Sequence, residues 1–192
     1  MMPYTAIFLA AYVWAFFISE WKVFKKSKDS LSHSSSTDQE TLRKLTAGML
    51  VIQFLSFAIA FVEPLQFSAS SRHFLFWIGV LLLVGASILR RHCFRMLDDY
   101  FTIDIRAHPE QSVIDRGAYA FVRHPSYTAA IMMFVGVGMA LGSWASLLLL
   151  SVASIVLYMC RIVVEERVLE EVLGERYRMY MRGRKRLIPY VY

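Results

Sequence analysis

From Thr128 to Cys160 the chain carries no Asp, Glu, Lys, Arg or His, and charged clusters stand at both ends of this stretch. On one side are Arg123, His124, Pro125, Ser126 and Tyr127. On the other are Arg161, Glu165, Glu166 and Arg167. Gly142-Ser143-Trp144 sits in the middle, dividing the stretch into two apolar segments joined by a short turn. Ionisable groups at a bilayer edge are costly unless they pair or do work. A helical hairpin here would bring both clusters to one membrane face and make a single polar site from residues distant in sequence.

Three further apolar stretches precede the hairpin: about Tyr4–Phe24, Leu45–Val62 and His73–Leu89. At roughly 17–21 residues each is long enough to span a bilayer. The two hairpin segments, about Ser126–Leu141 and Ala145–Val164, lie nearer the short limit. The chain is 57% hydrophobic and 15% aromatic, too apolar for a soluble domain of its size. The expectation is an all-α integral membrane protein with about five transmembrane helices, the last two a tight hairpin, followed by a cytoplasmic C-terminal helical tail. One membrane domain covers 1–192. Within it, 1–99 holds three N-terminal helices and their loops, and 100–192 holds a catalytic, cofactor-binding core. No basic region precedes the first segment, so it reads as a retained helix and not as a cleaved signal.

The distribution of basic residues gives an orientation. Six lie in 22–44, six in 90–123 and eight from Arg161 onward, whereas Arg72 stands alone after the second segment; together these account for all 21 Lys and Arg. The positive-inside rule then places the N-terminus outside and the C-terminus in the cytoplasm. An even number of spans would break this alternation. The net charge of +6 is thereby a matter of membrane topology, and no nucleic-acid partner is expected. The membrane would be the cell membrane in a prokaryote or the endoplasmic reticulum in a eukaryote. The Ser-rich stretch 27–39 reads as a cytoplasmic loop. Cys93 and Cys160 make no CxxC pair, and neither they nor the five His form a metal-ligand pattern.

Pro125 biases His124 away from helical geometry and suits the first turn of the helix that follows. Arg123 and His124 then sit at a helix N-terminus, where free N–H groups favour an anion; as plain structure they would be an interfacial anchor and a cap. Arg161 and Glu165, four apart, share a helix face, while Glu166 points about 100° away. Leu169 and Leu173 continue the apolar side, and Gly174 is placed to end the helix. As plain structure this region would be an ion pair followed by a basic amphipathic tail on anionic lipid. That reading leaves the two neighbouring carboxylates unexplained. Gly136, Gly138 and Gly142 are expected to let the two hairpin helices approach closely. Gly136-Val137-Gly138 follows no strand, so it is no dinucleotide fingerprint.

The run Val113-Ile114-Asp115-Arg116-Gly117-Ala118-Tyr119-Ala120-Phe121-Val122-Arg123-His124-Pro125-Ser126-Tyr127 resembles the core motif of isoprenylcysteine carboxyl methyltransferases, in a compact, prokaryotic-type form. So do Glu165-Glu166-Arg167-x-Leu169, Gly174-Glu175-x-Tyr177-x-x-Tyr180 and the closing Lys185-Arg186-Leu187-Ile188-Pro189. The resemblance covers about Tyr100–Pro189. One departure is Ala129, where the family usually has Gly. The resemblance implies an integral-membrane enzyme that binds S-adenosylmethionine at the cytoplasmic face and methylates the carboxylate of a lipid-modified cysteine. Carried onto this chain, the catalytic candidates are Arg123, Arg161 and Glu165. The cofactor-binding candidates are Gly117, Tyr119, His124, Pro125, Tyr127, Glu165, Glu166, Tyr177 and Tyr180. The implied partners are the bilayer and a lipid-linked acceptor.

Other readings remain open on the sequence. The same cofactor site would serve a phospholipid N-methyltransferase or a small-thiol methyltransferase. A nicotinamide-dependent membrane reductase or a non-enzymatic scaffold with a lipid-binding tail would share the membrane helices.

Overall fold

The structure, a computed structural model, describes residues 4–18, 36–97 and 113–189. Among these residues are six α-helices: α1 (Thr5–Val13, continued by a π-helical turn Trp14–Ile18), α2 (Ser36–Ile59), α3 (Ala69–Leu97), α4 (Pro125–Ala140), α5 (Trp144–Leu173) and α6 (Glu175–Arg182). Among the described residues there is no extended sheet, only isolated bridges pairing Gln66 with Ser143 and Val122 with Lys185.

Helix neighbours can be read from side-chain contacts. Arg90 of α3 donates to the Ser126 carbonyl of α4 at 2.9 Å, and Gly79 of α3 meets Gly136 of α4, so these two run antiparallel. Tyr127 stacks on Tyr158 at 5.1 Å and Gly138 faces Leu147, which makes α4 and α5 an antiparallel hairpin. Ser146 donates to the Ser56 carbonyl at 2.8 Å and Arg161 to the Thr41 hydroxyl at 2.7 Å, placing α2 antiparallel to α5. Gln53 of α2 donates to Tyr12 of α1 at 2.7 Å, and Arg91 of α3 lies over the Trp14 ring at 4.3 Å. The helices thus alternate in direction along the chain and close a ring in the order α1, α3, α4, α5, α2, in which the neighbours α1 and α3 run parallel: Tyr4 meets His73 at their starts and Trp14 meets Arg91 at their ends. The α2–α3 loop and the hairpin turn meet at one end, where Phe67 N–H donates to the Gly142 carbonyl at 2.9 Å. Thr41, Arg90, Arg123 and Glu165 gather at the other.

The helices start and stop where their sequences dictate. Ser143 caps α5 by accepting from the Ser146 N–H at 3.3 Å. Gly174 ends α5 at φ +57, a backbone conformation that side chains resist. With 30 residues, α5 is about 45 Å long, well over the hydrocarbon thickness of about 30 Å, so its length exceeds a span by its last two to three turns, from about Glu165 to Leu173.

All five apolar stretches are helical over their described residues. Three of these helices are long and apolar enough to cross a membrane (α2, α3 and α5), whereas Thr5–Phe17 and Pro125–Ala140 are shorter. The physical reason α4 can be short is its enclosure. Buried residues occur all around it, including Ala129, Met133, Phe134, Gly136, Val137 and Gly138, because α3 and α5 cover it on two sides. Outward-facing residues such as Phe54 (76% exposed) and Leu81 (70%) are apolar, the reverse of a soluble domain.

The glycines require one correction. Gly138 packs on the hairpin partner, as expected, and Gly142 turns the chain at φ +72. Gly136 instead faces α3. A Cβ on Gly79 would fall 2.6 Å from the Gly136 carbonyl, and one on Gly136 would fall 2.7 Å from that of Gly79. The close approach therefore binds the hairpin to the third helix. Sequence proximity favoured the wrong partner. The expected first segment beyond Ile18, the Ser-rich loop up to Ser35 and the 100–112 part of the motif region lie outside the described residues.

Candidate active site

Pro125 occupies the first turn of α4, and His124 before it is non-helical at φ −126, ψ 58. The amides ahead of a helix have no partner within it. Here the C-terminal strand supplies one. Arg123 N–H donates to the Lys185 carbonyl at 2.8 Å and His124 N–H to the Arg186 carbonyl at 3.0 Å. Thr128 Oγ1 donates to the Leu187 carbonyl at 2.8 Å. The basic tail is thus folded back onto the Arg123–Tyr127 motif, a placement that the lipid-binding reading of the tail did not anticipate.

The two neighbouring carboxylates of α5 have different surroundings. Glu166, whose side chain is 8% exposed, gathers three basic groups. Arg123 Nη1 lies 3.1 Å from its Oε1, and His124 Nε2 lies 3.2 Å from the same oxygen. Arg186 places Nε at 2.9 Å and Nη2 at 2.8 Å from Oε2. The carboxylate only accepts, so His124 presents Nε2–H to it. Glu165 faces the other way. Its Oε2 accepts from the Tyr127 hydroxyl at 2.6 Å and lies 4.0 Å from His124 Nδ1. Its side chain stays 26% exposed. The ring of Tyr127 stacks between His124 (5.6 Å) and Tyr158 (5.1 Å), which holds its hydroxyl toward Glu165.

The expected candidates divide into groups. His124, Pro125, Tyr127, Arg123, Glu165 and Glu166 are brought together. Arg161 is 2% exposed and bonded to Thr41, so it fastens α5 to α2 at the same end. Tyr177 and Tyr180 pack with Leu173, Val113 and Leu169 in a small apolar cluster under α6. Tyr180 donates to the Tyr119 carbonyl at 2.9 Å. Burial pushes the Tyr180 phenol up to about 12, against the pull of Arg184 and Arg123. Tyr119 and Tyr177 are raised as well, by burial first and then by neighbouring groups that include Glu165. All three therefore remain neutral at physiological pH. Gly117, at φ +59, does make a close approach, but to the Met96 side chain of α3.

Arg186 and Thr41 were not among the site candidates, although Arg186 stands in the closing motif Lys185–Pro189. The first was hidden in a basic run, and the second is 120 positions from the residue it binds. Among the described residues no three His, Cys, Asp or Glu side chains converge as a metal site.

A site built this way suits a small zwitterionic ligand. Glu165 keeps an accessible carboxylate for a cation. Arg123 Nε is buried without a hydrogen-bond partner, a donor left over for an anion.

Comparison with known proteins agrees with the motif resemblance. The family model described as phospholipid methyltransferase matches residues 74–176. A protein-S-isoprenylcysteine O-methyltransferase of Schizosaccharomyces pombe is 28% identical over 140 residues, covering 73% of this chain and 56% of that one. An uncharacterized protein of Bacillus subtilis, YpbQ, is 24% identical over 96 residues, covering 50% of this chain and 57% of its own. The chain thus spans rather more than half the length of these relatives. In structure it resembles a eukaryotic intramembrane Ras methyltransferase, isoprenylcysteine carboxyl methyltransferase, with a TM-score of 0.68 over 95% of this chain and 64% of that one, at 20% identity. The fold is shared across that distance, and since the family model spans more than half of these 192 residues, the chain belongs to the phospholipid methyltransferase family.

Proposed function

We propose that the protein is an S-adenosylmethionine-dependent methyltransferase of the membrane that esterifies the carboxylate of an isoprenylated cysteine or a similar lipid-linked acceptor. The observation that carries this reading is the pairing of an accessible carboxylate, Glu165, with a buried, partly unpaired guanidinium, Arg123, at one end of an apolar bundle. When bound, S-adenosylmethionine supplies an electrophilic methyl group. The chain's own residues bind and orient. Glu165, held by Tyr127, takes the cofactor's ammonium. His124, Pro125, Tyr119 and the Tyr177–Tyr180 cluster shape the surrounding wall, with Gly117 setting the loop that carries it. Arg123 orients the acceptor carboxylate, which is already ionised near neutral pH and needs no general base. The remaining task is to strip water from it and hold it in line. Arg161, fixed by Thr41, adds positive potential at the same end.

In this reading five helices cross the membrane, with the site and the C-terminus on the cytoplasmic side. That orientation rests on the sequence distribution of Lys and Arg, twenty of the 21 falling in 22–44, 90–123 and from Arg161 onward. The partners are the bilayer itself and a lipid-modified cysteine. A second reading, N-methylation of a phospholipid amine, is favoured by the description of the family model. A methyl-transfer assay with labelled S-adenosylmethionine decides between them. Transfer to a prenylcysteine analogue is expected. Transfer to an aminophospholipid instead would install the second reading, and transfer to neither would remove both.

A further inference from the structure

We propose that Arg186 is a positioning residue: it latches the C-terminal strand 184–187 across the motif loop and, through Glu166, fixes Arg123 and His124. The strand lies outside any helix, yet three consecutive carbonyls, those of Lys185, Arg186 and Leu187, are taken by Arg123 N–H, His124 N–H and Thr128 Oγ1. It serves as an external cap for the amides ahead of α4. Its ends are fastened separately. Arg184 Nε donates to the Ala120 carbonyl at 3.1 Å and its guanidinium lies over Tyr180, while Leu187 is buried. Between them Arg186 points inward.

The geometry on Glu166 explains why this one arginine matters. Arg186 occupies Oε2 with two donors, which leaves Oε1 for Arg123 and His124 together. A carboxylate in this position has one orientation that serves all three. Without Arg186, Oε2 loses both donors, the carboxylate can turn, and Arg123 and His124 lose their common anchor. Glu166 is therefore saturated by protein groups, and its part in the site is to transmit the tail's position to the motif loop. The cofactor contact falls to Glu165.

The inference rests on the methyltransferase reading only for its kinetic readout, so the test has two arms. In the first, hydrogen exchange is followed in the peptide spanning 121–127 in the full-length protein in detergent. Arg186→Met should speed exchange of the Arg123 and His124 amides by about tenfold or more while α3 and α5 keep their protection. Arg186→Lys should restore part of that protection. Arg182→Ala, whose guanidinium meets the exposed Glu175 away from the latch, should change neither. In the second arm, Arg186→Met should lower kcat by about ten- to a hundredfold with acceptor KM nearly unchanged, because misplacement acts on the aligned state. Unchanged exchange at 123 and 124 would overturn the latch. So would exchange rising equally through the bundle, which would make Arg186 a general stabiliser. If the wild-type protein transfers no methyl group to any acceptor, the functional reading fails while the exchange arm still decides the latch.

Discussion

Tyr127 donates its hydroxyl proton to Glu165 across 2.6 Å, joining the first turn of α4 to the later turns of α5. The same ring is stacked on His124 and Tyr158, so the hydroxyl is aimed by packing as well as by the bond. Removing the hydroxyl leaves the aromatic contacts in place. Tyr127→Phe should therefore fold like wild type yet bind S-adenosylhomocysteine about 1–3 kcal/mol more weakly, the cost of a hydrogen bond to a charged group. Calorimetric titration with that ligand, beside a thermal melt, checks both halves.

Glu165 and Glu166 should separate cleanly on substitution. Glu166→Ala strips a partner from Arg123, His124 and Arg186 at once and should destabilise the fold by about 3–5 kcal/mol, as expected for breaking a buried ion pair from one side. Glu165→Ala should cost little stability and most of the ligand affinity. Melting curves with and without S-adenosylhomocysteine distinguish these. A ligand-induced shift retained in Glu165→Ala would end its assignment.

The Gly79–Gly136 crossing predicts a packing effect far from the site. Gly136→Ala should lose about 1–3 kcal/mol through overpacking against the α3 backbone. Gly85→Ala, with nothing within 4 Å of the added methyl, should be neutral or slightly stabilising. The measurement is thermal unfolding in detergent.

Topology can be read by labelling single cysteines introduced in a Cys-free background. Glu40→Cys and Arg182→Cys should react from the cytoplasmic side and Glu63→Cys from the opposite one. Reaction of Glu40→Cys and Arg182→Cys from different sides would remove the five-span arrangement.

Acceptor chain length gives a further expectation. Each buried CH₂ is worth about 0.8 kcal/mol, so an acceptor with a long isoprenoid chain stays in the bilayer. Shortening the chain on a prenylcysteine analogue should raise KM steeply and leave cofactor affinity nearly unchanged. Equal methylation of an unprenylated, water-soluble cysteine analogue would remove the lipid-acceptor reading.

The sequence by itself determined the local elements. Apolar stretches, Pro125 and Gly174 placed the helices and their ends, because helix formation and termination depend on neighbours a few residues apart. The charge-free stretch Thr128–Cys160 was enough to bring the Arg123 and Glu165 clusters to one end, since a short turn leaves no other arrangement. It did not determine which of two adjacent carboxylates is occupied. Neighbours on a helix point about 100° apart, and only the packing of α4 and the returning strand decided that Glu166 meets Arg123, His124 and Arg186 while Glu165 meets Tyr127. The partner of Gly136 and the hold of Thr41 on Arg161 were equally invisible, for the same reason: both depend on which helix faces which across the ring, and that choice is made by the whole bundle's close packing.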